Sequence, residues 1–129
     1  MSIKDLKILI VDDDKNFSLL IKKYLNKMGF EQVEEADGGM TGLQKLQTDK
    51  FDLIISDLIM PGLDGVEFYN SIKAQEDLKH IPFLLITAEG MTDKYQQMLG
   101  SDIDNYLLKP FPEAHLRAKV RQILELDEL

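Results

Sequence analysis

The sequence predicts an α/β fold: a five-stranded parallel sheet and five helices in a three-layer sandwich. Two observations carry this. Short apolar runs alternate along the chain with stretches whose apolar residues recur at helical spacing. Four of those runs also deliver an acid, a hydroxyl or an amine at their ends, the edge where parallel sheets bind ligands.

The elements follow in order. Lys7-Ile8-Leu9-Ile10-Val11 is an apolar run ending in acid and reads as a buried strand. Phe17, Leu20, Ile21, Tyr24, Leu25 and Met28 then mark one face of a helix, with Lys22, Lys23, Asn26 and Lys27 outside it. Gly29 stands where a C-cap glycine belongs. The more polar run from Gln32 to Ala36 predicts an edge strand. Asp37 is placed to cap a second helix carrying Met40, Leu43 and Leu46. Leu53-Ile54-Ile55-Ser56-Asp57 is the third strand, Pro61 to Gly65 a turn, and Val66, Tyr69 and Ile72 give a third helix. Pro82 opens a fourth strand through Thr87, and Met91, Tyr95, Met98 and Leu99 predict a fourth helix. Asn105 to Lys109 is the fifth strand; Pro112 suits the start of a fifth helix with Leu116, Val120, Ile123 and Leu124. Alternation of strand and helix implies right-handed crossovers. Strands one, three and four are nearly all apolar, as strands covered on both faces are.

Composition narrows the function. The 129 residues fit one domain, taken as 1–129, and include no cysteine, which excludes disulfides and thiolate metal sites and fits a reducing cytoplasm. A formal charge of −8 repels nucleic acid and anionic membrane. The start lacks the apolar run of a signal peptide, and no stretch approaches the roughly 20 residues that span a bilayer. The chain ends soon after its last helix pattern, so no output domain is expected.

The chemistry collects at the strand ends. The first strand ends in Asp12-Asp13-Asp14, the third in Asp57, the fourth in Thr87 and the fifth in Lys109. One acid after a strand ordinarily caps a helix or faces solvent; several on one edge are another matter. Carboxylates about 4 Å apart repel by about 4 kcal/mol at an effective dielectric near 20. Such a group binds a cation or raises the pKa of a member. Few carboxylates with room for waters suit Mg²⁺ better than Ca²⁺. A magnesium ion beside a carboxylate, a lysine and a hydroxyl suits phosphoryl transfer, with aspartate as a nucleophile that forms an acyl phosphate.

These residues resemble the receiver domains of two-component response regulators. The resemblance rests on Val11-Asp12-Asp13, Ser56-Asp57-Leu58-Ile59-Met60-Pro61-Gly62-Leu63-Asp64-Gly65, Thr87-Ala88-Glu89 and Tyr106-Leu107-Leu108-Lys109-Pro110-Phe111, and spans essentially the whole chain. Spacing and Glu89 place it nearest the stand-alone chemotaxis (CheY-like) type. The strand order 2-1-3-4-5 of that flavodoxin-like fold is known for the type and comes with the resemblance. The resemblance implies Asp57 as phosphoacceptor, with Lys109 and Thr87 contacting the phosphoryl group. Asp13, Asp57 and the Ile59 carbonyl are implied as Mg²⁺ ligands, with Asp12 acting through metal-bound water. Thr87 and Tyr106 become the switch pair, Ile59 and Glu89 the residues that tune dephosphorylation, and Lys109-Pro110 a cis peptide. Asp14 is read as a helix cap. Such a domain is not an enzyme and promotes only its own phosphorylation and dephosphorylation. Its implied partners are a sensor histidine kinase and a phosphorylation-dependent target, with a flagellar motor or phosphorelay protein as candidates.

Rival readings fare worse. A phosphatase of the haloacid dehalogenase type would need an acidic pair after Lys109, where only a helix pattern follows. A receiver fragment of a larger DNA-binding regulator is the other alternative. Asp12-x-Asp14-x-Asn16 begins like a calcium loop, but Phe17 replaces its glycine and Lys23 its final acid. His80 and His115 have no second ligand nearby in sequence and are read as solvent-facing.

Overall fold

Alternate residues of a strand point to opposite faces, and here they feed two separate cores. A computed structural model describes residues 2–58, 65–88 and 105–127. Its strands are β1 (Lys7–Val11), β2 (Gln32–Ala36), β3 (Leu53–Asp57), β4 (Phe83–Thr87) and β5 (Tyr106–Leu108). They form one parallel sheet in the order β2-β1-β3-β4-β5. The described helices are α1 (Lys15–Met28), α2 (Gly39–Thr48), α3 (Gly65–Lys73) and α4 (Glu113–Ile123). The helix expected around Met91 to Leu99 and most of the turn from Pro61 lie outside the described residues.

Leu9, Val11, Ile54, Phe83 and Leu85 pack one core with Leu46 of α2 and Val66, Phe68, Tyr69 and Ile72 of α3. Ile8, Ile10, Leu53, Ile55, Leu84, Ile86 and Leu107 pack the other with Ile21 and Leu25 of α1 and Leu116 and Val120 of α4. The sandwich and the edge position of β2 are therefore as the sequence predicts.

Two helices turn differently from their apolar stripes. In α1 the inward residues are Ser18, Ile21, Leu25 and Met28, while Leu20 is 37% exposed. Ser18, only 3% exposed, takes an inward place that the apolar stripe assigned to its neighbours. In α2 the buried residues are Gly39, Gly42 and Leu46, and Met40 is 62% exposed. Gly42 explains the roll: a Cβ there would stand 3.1 Å from the Phe68 ring and 3.2 Å from Val11 Cγ2. The helix approaches the core through its glycines.

The caps show one success and one correction. Asp14 caps α1 by accepting from the Phe17 N–H, and Gly29 closes it at φ 114°. Asp37 is not the cap of α2: Gly38 holds that position without a side-chain bond. The Asp37 carboxylate instead accepts from the Thr41 hydroxyl at 2.6 Å, one turn into the helix.

At the β2 edge of the sheet an ion-pair chain ties β1, β2 and α2. Lys7 Nζ lies 2.7 Å from Glu34 and 3.3 Å from Asp49, and Lys45 reaches Glu34 at 3.2 Å. The Lys7 hydrogen bond, foremost, holds the Glu34 carboxyl below its ordinary pKa. A depressed carboxyl pKa contributes stability that is present above the unfolded value, about 4.3, and is lost as pH falls through the folded one. Glu34→Gln should therefore cost roughly 0.2–1 kcal/mol at pH 7. In urea melts that difference should fade as pH falls toward about 3; a difference unchanged by pH would refute the assignment.

Candidate functional site

The sheet register sets the site. Val11 pairs with Ser56 across β1 and β3, so Asp12 and Asp57 leave adjacent strands at the same level. The ladder continues one step beyond the strands: Asp12 N–H donates to the Ala36 carbonyl at 3.1 Å and Lys109 N–H to the Thr87 carbonyl at 2.8 Å. These bonds fix the backbone of two site residues, so the rim is part of the sheet's rigidity.

The side chains converge. Lys109 Nζ donates to Asp12 Oδ2 at 3.0 Å and to Asp57 Oδ2 at 3.1 Å. Carboxylate oxygens of Asp12, Asp13 and Asp57 lie within 4.8 Å of one another. Asp12 is buried, its side chain 2% exposed, against 12% for Asp57 and 16% for Lys109; Asp13 is exposed. The Lys109-Pro110 peptide is cis.

Burial pushes the Asp12 carboxyl above the usual carboxylate range, and the Asp57 charge adds to that. The Asp14 N–H, which donates to Asp12 Oδ1 at 2.8 Å, and Lys109 pull the other way. For Lys109, burial would lower the amine; the Asp12 hydrogen bond and the charges of Asp12 and Asp57 overcome it and raise the net value. The lysine is a firm cation between two acids.

The remaining predicted residues fall as follows. Thr87 is the last residue of β4 and fully buried. Tyr106 opens β5, half-buried against the core that α2 and α3 cover. Ile59 and Glu89 lie outside the described residues. His80 and His115 are exposed, and neither joins a metal-sized group among the described residues.

Two residues escaped the sequence. Phe17, read only as part of the helix stripe, carries Lys109 Nζ 4.3 Å from its ring centroid. Its signal was position, one turn beyond the Asp12-Asp13 pair. Gly65, read as a turn residue and as the end of the matching segment from Ser56 but given no role, opens α3 and donates its N–H to the Leu58 carbonyl at 2.9 Å. A Cβ there would overlap the Asp57 carbonyl and stand 2.6 Å from Leu58 Cα. No local pattern announces that approach.

The donor set suits a hard divalent cation. All donors are carboxylate oxygens, and three acids against one ammonium leave the group negative. Comparison with known proteins agrees. The family described as response regulator receiver domain matches residues 8–121. Chemotaxis protein CheY-3 of Vibrio cholerae is 38% identical over 122 residues, which cover 95% of this chain and 94% of that one. A crystal structure of the chemotaxis protein CheY4 of the same organism superposes with a TM-score of 0.82 at 32% identity, covering 92% and 98% of the two chains. The receiver domain of a sensor histidine kinase from Pseudomonas aeruginosa, solved with magnesium in its active-site cleft, gives 0.83 at 26% identity, covering 93% and 98%.

Proposed function

Because the chain belongs to the response regulator receiver family, we propose that it is a switch that takes a phosphoryl group from a histidine kinase onto Asp57. The observation that carries this reading is the ammonium of Lys109 held between Asp12 and Asp57, with Asp13 beside them. In the transfer, an Asp57 carboxylate oxygen forms a bond to phosphorus while the phosphorus–nitrogen bond of the donor phosphohistidine breaks. The departing imidazole nitrogen takes a proton. Lys109 holds the attacking carboxylate in place and offers its N–H groups to the phosphoryl oxygens. Thr87, at the end of the neighbouring strand, supplies a hydroxyl to the same group.

Asp12, Asp13 and Asp57 would hold Mg²⁺. The bound ion would neutralise charge on the phosphoryl oxygens. Adding Mg²⁺ should raise the melting temperature: a ligand at a hundredfold excess over its Kd contributes about 2.7 kcal/mol. Asp13→Asn should reduce that rise by removing one charged donor at an exposed position. A melting curve unmoved by Mg²⁺ would count against the metal.

The output is a change of surface. Phosphorylation draws Thr87 toward the new oxygens and lets Tyr106 turn inward, so the face built from the fourth predicted helix (expected around Met91 to Leu99), β5 and α4 differs between states. The chemotaxis relatives favour a target of the flagellar motor kind, with a phosphorelay protein as the other candidate. The likeness to the chemotaxis proteins supports a place in the cytoplasm. No helix among the described residues is long and apolar enough to cross a membrane. It promotes only its own phosphorylation and dephosphorylation. Incubation with acetyl phosphate and Mg²⁺, followed by intact-mass measurement, should show one added phosphoryl group; no gain would end the reading.

A further inference from the structure

We propose that Phe17 is a positioning residue for Lys109: its ring is a neutral bed that holds the ammonium in place while both of its carboxylate partners are drawn into other bonds. This rests on the phosphoryl-transfer reading above.

Three described groups meet the ammonium: Asp12 at 3.0 Å, Asp57 at 3.1 Å and the Phe17 ring at 4.3 Å from its centroid. The first two are committed elsewhere during the reaction. Phosphorylation of Asp57 turns its carboxylate into an acyl phosphate and moves the negative charge outward onto the phosphoryl oxygens, and a divalent cation, directly or through its bound water, would compete with the lysine for Asp12. The ring keeps its quadrupole throughout. Attraction between a cation and an aromatic face grows as water is excluded, and the Lys109 side chain is only 16% exposed.

The ring is itself held from two sides. Asp14 accepts from the Phe17 N–H at 3.2 Å, and its own N–H donates to Asp12 Oδ1 at 2.8 Å. The first turn of α1 therefore braces the buried acid and the aromatic bed together. On the other side Phe111 meets Phe17 edge-on, centroids 5.7 Å apart at 88°. Phe111 is two residues beyond Lys109 and buried in the core that α1 and α4 cover. The backbone after the lysine is thus tied to the ring over which the lysine lies. A side chain needed only for packing could be any apolar residue of similar volume; a cation bed requires an aromatic face.

The experiment is a rate measurement with acetyl phosphate and Mg²⁺ on wild type and variants, read by intact mass against time. Phe17→Leu should slow phosphorylation roughly 2- to 30-fold, the range of a partly desolvated cation–π contact. Phe17→Tyr keeps the face and should stay within about twofold of wild type. In a Lys109→Met background, Phe17→Leu should cost nothing more, because the two residues act through one contact. NMR supplies a check independent of turnover: the Lys109 methylene protons next to the ammonium should be shifted upfield by the ring in wild type and Phe17→Tyr, and not in Phe17→Leu. If Phe17→Leu reacts as fast as wild type, if its loss persists undiminished without Lys109, or if the upfield shift is absent from wild type, the role of Phe17 falls while the parent reading stands. If wild type takes up no phosphoryl group, the parent reading falls and takes this one with it.

Discussion

Asp57→Asn should gain no phosphoryl group from acetyl phosphate under conditions where wild type gains one. The amide is a poor nucleophile and removes one of the three carboxylate donors grouped within 4.8 Å. The loss should be complete by intact mass. It should not come from unfolding. Asp57 lies at the rim, its side chain partly exposed, and the substitution would leave Lys109 paired with Asp12 at 3.0 Å. One fewer like charge at the rim lowers the repulsion that Asp12 feels. In metal-free buffer the variant should therefore melt no lower than wild type. A variant that still gains the group would show that another residue is the acceptor. A variant that melts well below wild type would show that Asp57 is a structural member of the sheet.

Gly65→Ala should be the most damaging single methyl in the described structure. The added carbon would overlap the Asp57 carbonyl and sit 2.6 Å from Leu58 Cα and from its carbonyl oxygen. These are backbone atoms of a strand end, and they cannot swing aside as a side-chain tip does. Relief must come from moving the start of α3, which breaks the Gly65 N–H bond to Leu58 and shifts Val66 and Phe68 out of their core. Overpacking typically costs about 1–3 kcal/mol, and with a buried backbone bond lost as well the cost should reach about 3 kcal/mol or more. Urea denaturation measures it. Because α3 begins against the strand that carries Asp57, the same variant should also phosphorylate more slowly. A loss under about 0.5 kcal/mol, the range of a neutral surface change, would mean that the helix can move freely off the strand.

The sheet was legible because its signal is local. The unbroken Ile, Leu and Val of β1 can hardly be anything but a strand covered on both faces, and the acids that follow them stand where the ladder ends. The converging groups at Asp12, Asp57 and Lys109 were legible for the same reason: parallel strands end together. Rotation of a helix about its axis was less so. Met40 looked like an inward residue because it is apolar, yet the tight approach of α2 to Phe68 selects Gly42 instead. Likewise Leu20 lost its place to Ser18. Apolar spacing finds the helix, but the distance to the sheet decides which face turns in. The bed beneath Lys109 was out of reach for another reason: Phe17 and Lys109 are 92 positions apart in the sequence, and nothing local relates an aromatic on the first helix to a cation after the last strand. Asp37 shows the limit of cap rules, since a carboxylate one residue upstream of Gly38 served the Thr41 hydroxyl instead.

The two-sided use of the strands has a lasting consequence. Every buried position of β1, β3 and β4 other than Ser56 and the terminal Thr87 holds an apolar side chain, while the reactive groups stand at the strand ends or within two steps of them. Folding and site chemistry are therefore written in different letters of the same segments. A change at the exposed rim, at Asp13 above all, alters the charge offered to a cation and leaves the two cores as they are.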